Sequence, residues 1–522
     1  MTARQIDRTS LATLKSKVHN LVEYGRLGDA LDEIRKFVEF IVQDPRSVAK
    51  VFASKDIDKL CRFVGEAAAT AEGISSYPQK MRSGTVILIT ELVKAGGHVE
   101  LIKDIIRLKL FDGPVCILIT DIIDRVDHAV IANFLQTYKI PIEVSTGRSS
   151  DERLKWIIKR LRELTPSTLV LLTYNQDSVG VSAAHSRVAD KVVFIHHADH
   201  HLALGVTCEN FIHVDPHNLG FFQCRHELGI KNNYYWPLTV NCKFLEPRSN
   251  SFLAQGNLVT CSSGRPEKFE PNFYLYDYIK LIPRLLAVTK GRHIHIGILS
   301  ADVQARLHHE LAAVGVEPAC FIHVSWVSSV AQALVDYNVD LYISSFPLGG
   351  GKTTVEAMAA GTPLLMHQNY NSRFLGAVDL AYPDAWVWRS ESELIDIIST
   401  INLTDLERHS HLAKAHYKKY HSEKVLVDLA NFLNFPKITE IPKLKEYSDN
   451  PLQTLLDENA RDNAMNNQKK IYPSEHEIYK LKDDYSKLEH EYSREIKKCL
   501  SVRYLVRQLL KQLLIRLSNY FK

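Results

Sequence analysis

Three stretches of this chain gather side chains able to do chemistry. The first is Phe346-Pro-Leu-Gly-Gly-Gly-Lys-Thr-Thr-Val-Glu356. Gly349, Gly350 and Gly351 let the backbone turn sharply and come close to a ligand without Cβ clashes. Thr353 and Thr354 open a helix expected to run to Ala360, with Gly361 past its end. Free N–H groups at that helix start, the two hydroxyls and Lys352 suit a pyrophosphate, and Glu356 is placed to accept hydrogen bonds from a ribose diol. An NTPase P-loop also ends in Gly-Lys-Thr, but it needs glycine where this chain has Phe346. An ordinary glycine-rich βα turn without a ligand is the plainer alternative.

The second stretch, Phe194-Ile-His-His-Ala-Asp-His-His201, puts four histidines and an aspartate directly behind an apolar run. Carboxyl ends of strands are where open α/β sheets bind ligands. His197 or His200 can serve as general base, with Asp199 orienting it. His196 and His200, four apart, would suit a metal on one helix face. The same residues can also simply hydrogen-bond backbone and water in a loop. The third stretch, Ser262-Ser-Gly-Arg-Pro-Glu-Lys268, follows a strand expected over 258–261. Arg265 as a fork and Lys268 as a point charge can meet two phosphates; a basic pair there is otherwise merely solvated.

Glu356-Ala-Met-Ala-Ala-Gly-Thr-Pro363 resembles the E-A-M-A-x-G-x-P segment of GT-B glycosyltransferases. Many retaining members carry a second Glu in an E-x7-E pattern, and Leu348 stands there in this chain. Pro347-Leu-Gly-Gly-Gly-Lys-Thr-Thr354 is instead similar to the P-L-x-x-G-x-T-T run of the inverting O-GlcNAc transferase family, with a one-residue offset before Glu356. Lys268-Phe-Glu-Pro271 is similar to that family's K-I-x-P, whose lysine contacts the diphosphate. The resemblance covers about residues 85–430. It implies an α/β GT-B fold, two Rossmann-like domains facing a cleft, flanked by an N-terminal helical region and a C-terminal helical and coiled-coil tail.

It also implies a nucleoside-diphosphate-sugar donor, a UDP-sugar foremost, with no cofactor and no metal needed for transfer. The donor would lie on Gly264, Arg265, Lys268, Phe346, Gly349, Gly350, Gly351, Lys352, Thr353, Thr354 and Glu356. Gly96-Gly97-His98 sits where such enzymes carry an acceptor-facing loop, so His98 joins His197, Asp199 and His200 as a catalytic candidate. Trp326 falls where a group against the base is expected, although packing is the plainer role.

The elements that must position these residues follow from periodicity. Residues 1–80 are helical in pattern: Leu11, Leu14, Val18 and Leu21, then Leu31, Ile34, Phe37 and Ile41. A helical cap is the expected role, a protein-docking repeat the weaker one. Strands are expected at 85–89, 115–119, 141–144, 168–172, 191–195 and 211–216 in a domain over 81–245. A second domain over 246–435 adds strands at 258–261, 293–298, 321–324, 341–344, 363–366 and 386–388, closed by helices over 405–434. Strands alternating with helices predict parallel sheets covered on both faces. Tyr234-Tyr-Trp-Pro-Leu238 reads as an aromatic step into the linker between these domains, there for packing.

A proline-marked linker over 436–473 leads to a heptad seam of Ile478, Leu481, Tyr485, Leu488 and Tyr492, able to pair in a homodimer. The last segment has no acidic residue after Glu495. Arg503, Arg507, Lys511 and Arg516 accompany Val506, Leu509, Leu510, Leu513, Leu514 and Leu517 in an amphipathic basic helix, a form that lies on anionic membranes or packs on a partner.

Of 522 residues, 45% are hydrophobic and 24% charged, the make-up of a globular protein of several domains. A net charge of +4 gives no reason to expect nucleic acid as a partner. Scattered cysteines and a start without a signal pattern point to the cytoplasm, and no apolar run suits a membrane span. The function expected is sugar transfer to a lipid-linked glycan in bacterial cell-surface polysaccharide or lipopolysaccharide assembly, peripheral at the inner face of the cytoplasmic membrane. The alternatives are glycosylation of protein side chains and a non-catalytic interaction protein held at a membrane.

Overall fold

The computed structural model describes residues 10–44, 47–74, 83–94, 96–243, 245–269, 274–431 and 440–446, with 452, 456, 459–460, 506–507 and 509–514 farther on. The heptad seam lies outside the described residues. The described residues up to 446, apart from 274–275, form one compact unit built around two parallel sheets.

The first sheet comprises β1 (Thr85–Ile89), β2 (Val115–Ile119), β3 (Ile142–Val144), β4 (Thr168–Leu172), β5 (Lys191–Ile195), β6 (Ile212–Asp215) and β7 (Asn233–Tyr235). They lie in the order β3-β2-β1-β4-β5-β6-β7. The second comprises β8 (Val259–Ser263), β9 (Arg292–Ile296), β10 (Phe321–Val324), β11 (Leu341–Ile343), β12 (Leu364–His367) and β13 (Trp386–Trp388), in the order β10-β9-β8-β11-β12-β13. Every residue of β1 and of β11 is buried, as the apolar runs demand of strands covered on both faces. In each sheet the order reverses beside the first strand, between β1 and β4 and between β8 and β11. Such a switch point opens a crevice at the carboxyl ends of the strands.

The amino-terminal helices Leu11–Glu23, Leu27–Gln43 and Lys55–Ala71 cover one face of the first sheet. Leu14, Val18, Leu31, Ile34 and Val64 share a core with Leu88, Leu118 and Leu171. A Cβ on Gly65 would meet the Ser182 carbonyl oxygen at 2.1 Å, so only glycine allows the third helix to pack this closely. The apolar faces of these helices are thus buried against the sheet. The opposite face shares one apolar cluster with the second sheet, joining Ile87, Val193 and Leu238 to Val259, Val355 and Met358.

Two expectations need correction. Residues 234–238 do not merely lead into a linker, because Asn233–Tyr235 is the seventh strand, with Tyr235 and Trp236 buried. Nor do the helices beyond 405 close only the second domain. After Leu403–His416 the chain returns to the first: Glu423 pairs with Arg107, and Leu426 lines a small apolar recess with Leu101, Ile105 and Ile195.

Candidate functional site

The carboxyl ends of β8 and β11 bring two of the chemically equipped stretches together. After β8 the chain passes Gly264 and makes a tight turn over Pro266–Lys268. Lys268 then reaches across, its Nζ donating to the Gly349 carbonyl at 2.8 Å. The three glycines answer to three separate neighbours. A Cβ on Gly349 would meet the Gly376 carbonyl oxygen at 2.4 Å, one on Gly350 would meet Thr353 Oγ1 at 2.3 Å, and one on Gly351 would meet His217 Nε2 at 2.7 Å. The helix Gly351–Ala360 starts there, and Thr353 and Thr354 donate their hydroxyls to the Gly350 carbonyl at 3.1 and 2.8 Å. Amides of a first helical turn have no intrahelical acceptor and suit an anion. Burial, and then the charge of Arg265, lower the Lys268 pKa to about 8. Arg265 itself is exposed.

Two residues of the glycine stretch have other tasks than those expected, and a third already accepts a backbone hydrogen bond. Phe346 is 0% exposed and packs edge-on to Trp388 in the second core, so its side chain offers no surface to a ligand. Lys352 is not a free phosphate clamp: its Nζ lies 2.8 Å from Asp104 Oδ2 and also donates to the Thr239 carbonyl, tying this helix to the first domain. Glu356 accepts from the Val330 amide at 3.2 Å, at the start of the helix Val330–Asp336, and burial raises its pKa to about 7.

The carboxyl ends of β1, β4, β5 and β6 supply the other wall. His98 lies at the start of the helix Gly97–Arg107, edge-on to Tyr174 at 5.4 Å and 5.9 Å from the His197 ring. Burial lowers His98 to about 4, and burial with the neighbouring His98 lowers His197 to about 3, so both are neutral near pH 7. Asp199 does not orient either of the expected bases. Its carboxylate holds His217, with Nδ1 to Oδ2 at 3.0 Å, whereas His200 stands 3.9 Å away. Burial alone would lower His217, but the charge and hydrogen bond of Asp199 outweigh it and raise the imidazole above its ordinary value. Burial likewise favours the neutral Asp199, yet His217 and His200 keep its carboxyl well below the usual range.

His217 is the residue that the sequence reading missed. Its Asp199-bound Nδ1 leaves Nε2 beside the glycine turn of the second domain, an arrangement in which an imidazole can act as a general base. His196 does not pair with His200 on a helix, since residues 196–201 form no helix; it belongs to a separate buried cluster with His213, Asp215 and Cys224. Trp326 is 56% exposed and therefore not a core residue, and Lys94 of the first domain lies over its ring at 5.3 Å. Lys268 and the helix amides thus lie on one side of the glycine turn, and the His217 imidazole lies on the other.

No protein-family model matches the chain, and no curated protein does. Solved structures share its fold. Anabaena Alr3699/HepE in complex with UDP and glucose matches with a TM-score of 0.51 at 15% identity, over 67% of this chain and 99% of that one. The same Anabaena protein in complex with UDP-glucose gives 0.50 at 15% identity, over 67% and 98%. A glycosyltransferase from Rickettsia africae gives 0.51 at 11% identity, over 68% and 100%. Two facing parallel sheets, each reversing order beside its first strand, are the GT-B fold that the motifs implied.

Proposed function

We propose that this chain is a glycosyltransferase that moves a sugar from a nucleoside-diphosphate donor, a UDP-sugar, to an acceptor hydroxyl. One observation carries the reading: Lys268 Nζ on the glycine turn, with the Asp199–His217 pair beside the same turn on the opposite wall. The Anabaena protein of the same fold binds UDP and glucose, which supports this donor class. The diphosphate would rest on Lys268, Arg265 and the first amides of the helix Gly351–Ala360, with Glu356 toward the ribose. His217 Nε2 takes the acceptor proton as its oxygen bonds to the anomeric carbon. The bond from that carbon to the diphosphate breaks, and the departing charge is met by Lys268 and the helix amides. His98 and His197, held neutral, would position the acceptor.

The acceptor we propose is a lipid-linked glycan at an anionic membrane, such as the inner face of a bacterial cytoplasmic membrane. Among the described tail residues Val506, Leu509, Leu510, Leu513 and Leu514 are exposed at helical spacing beside Arg507 and Lys511. No helix among the described residues is long and apolar enough to cross a membrane. The amino-terminal helices, spent on covering the sheet, give less support to docking of a protein acceptor. The test is transfer of labelled sugar from a panel of nucleotide sugars into membrane lipid and protein fractions. It is run with the full chain, with His217→Gln and with residues 497–522 deleted. Label in the lipid fraction, lost in His217→Gln while donor still binds, supports the reading. Label in protein moves the acceptor to side chains, and consumption of no donor overturns it.

A further inference from the structure

His196, His213, Asp215 and Cys224 lie away from the glycine turn and take no part in the chemistry above. His213 and Asp215 stand two apart on β6, so both side chains leave the same face. His196 follows β5, whose parallel register pairs Phe194 with His213 and Ile195 with Val214, and this sets His196 level with Asp215. Cys224 arrives from a wide turn over Gln223–Glu227 in which the Leu228 amide reaches back to the Gln223 carbonyl, a local widening often found at functional sites. None of the four is more than 2% exposed.

Hydrogen bonding does not account for this group. His196 Nδ1, His213 Nε2 and Cys224 Sγ converge on the single oxygen Asp215 Oδ1 at 3.1, 3.2 and 3.6 Å. Asp215 Oδ2, His196 Nε2 and His213 Nδ1 are buried with no partner at all. Polar atoms buried this deeply are normally satisfied, and here one carboxylate oxygen takes the contacts of three neighbours while three other atoms are left over. The four ligand atoms lie within 4.8 Å of one another, and Cys224 Sγ is 3.6 Å from His196 Nδ1. Tetrahedral zinc, with bonds of about 2.0–2.3 Å, sets its ligands about 3.4 Å apart, and about 3.6 Å where sulfur is one of them.

We propose that these four residues form a closed, structural Zn²⁺ site. Two imidazoles, a thiolate and a carboxylate are the borderline ligand set that zinc prefers over magnesium or calcium. Binding releases the Cys224 proton to solvent, and thiolate plus carboxylate then neutralise the ion. The site would lock the ends of β5 and β6, from which the loops carrying Asp199 and His217 depart.

The experiment takes the full chain, free of any histidine tag, strips it with chelator, reconstitutes it with ZnCl₂ or CoCl₂ and desalts it. Elemental analysis is expected to find stoichiometric zinc. The cobalt form is expected to show the visible bands of a tetrahedral ion and a near-ultraviolet thiolate band, the latter lost in Cys224→Ser. Metal no higher than in a buffer control overturns the proposal, as does a wild-type cobalt spectrum of octahedral form with no thiolate band. The wild-type spectrum decides even if the variant fails to fold.

Discussion

Lys268 offers the sharpest quantitative test, because its charge is lost within reach of ordinary buffers. Burial and Arg265 place its pKa at about 8, against an ordinary lysine value of 10.5. Raising the solution from about pH 7 to about pH 9 therefore takes the charged fraction of the free protein from about nine-tenths to about one-tenth. A diphosphate that binds only the charged form then loses about tenfold in affinity. The terminal phosphate of UDP adds little slope, since it is largely ionised above about pH 7; any slope from the uracil N–H at about pH 9 is shared by wild type and variant and cancels in the comparison. Lys268→Met removes a charge-assisted hydrogen bond of about 1.5–3 kcal/mol, or about 10- to 150-fold in Kd. It should also flatten the pH slope. Stability of the unliganded protein should run the other way. A lysine depressed by folding leaves the unfolded chain holding more protons between about 8 and 10.5, so stability rises with pH through that window. Isothermal titration of UDP at both pH values, wild type against Lys268→Met, reads these effects. Equal affinity at both pH values, or a variant that binds as well as wild type, would refute the placement of the diphosphate on Lys268.

Asp199→Asn should lower the transfer rate by about 10²–10⁴-fold while donor affinity changes little, since it removes only the group that orients His217; steady-state kinetics beside titration of donor separates the two. Lys352→Ala should cost about 1–3 kcal/mol of stability and leave nucleotide affinity largely intact, because Lys352 serves Asp104, which retains Arg107; denaturant melts with and without UDP check this. Gly351→Ala should destabilise by about 1–3 kcal/mol and slow transfer, as the new methyl meets His217, Leu238 and Leu380; a thermal melt and a rate measurement suffice.

Much of the fold was readable because buried parallel strands are written as near-continuous apolar runs. β1, β2, β4, β5, β10 and β13 fall on the expected residues. β7 was not readable: Asn233-Tyr-Tyr235 is three residues long and has no apolar run, and pairing with β6 makes it a strand. The glycine turn and its contact with Lys268 were legible from residue type and local spacing, because glycines, hydroxyls and a lysine meet there over a few positions. The second wall was not. Asp199 and His217 are 18 residues apart, and no local pattern says which histidine an aspartate will choose. Lys352 looked like a phosphate clamp for the same reason, since Asp104, which takes it, lies 248 residues away in the chain. Phe346 was misjudged by place alone, as a residue next to a ligand turn can still point into the core.

The most direct measurement is thermal stabilisation of the purified chain against UDP-, GDP-, CMP- and dTDP-sugars, repeated with Lys268→Ala and Glu356→Ala. A nucleotide sugar bound at this glycine turn predicts a shift with a UDP-sugar that Lys268→Ala abolishes and Glu356→Ala weakens. No shift with any donor, or a shift that both variants retain, would contradict it.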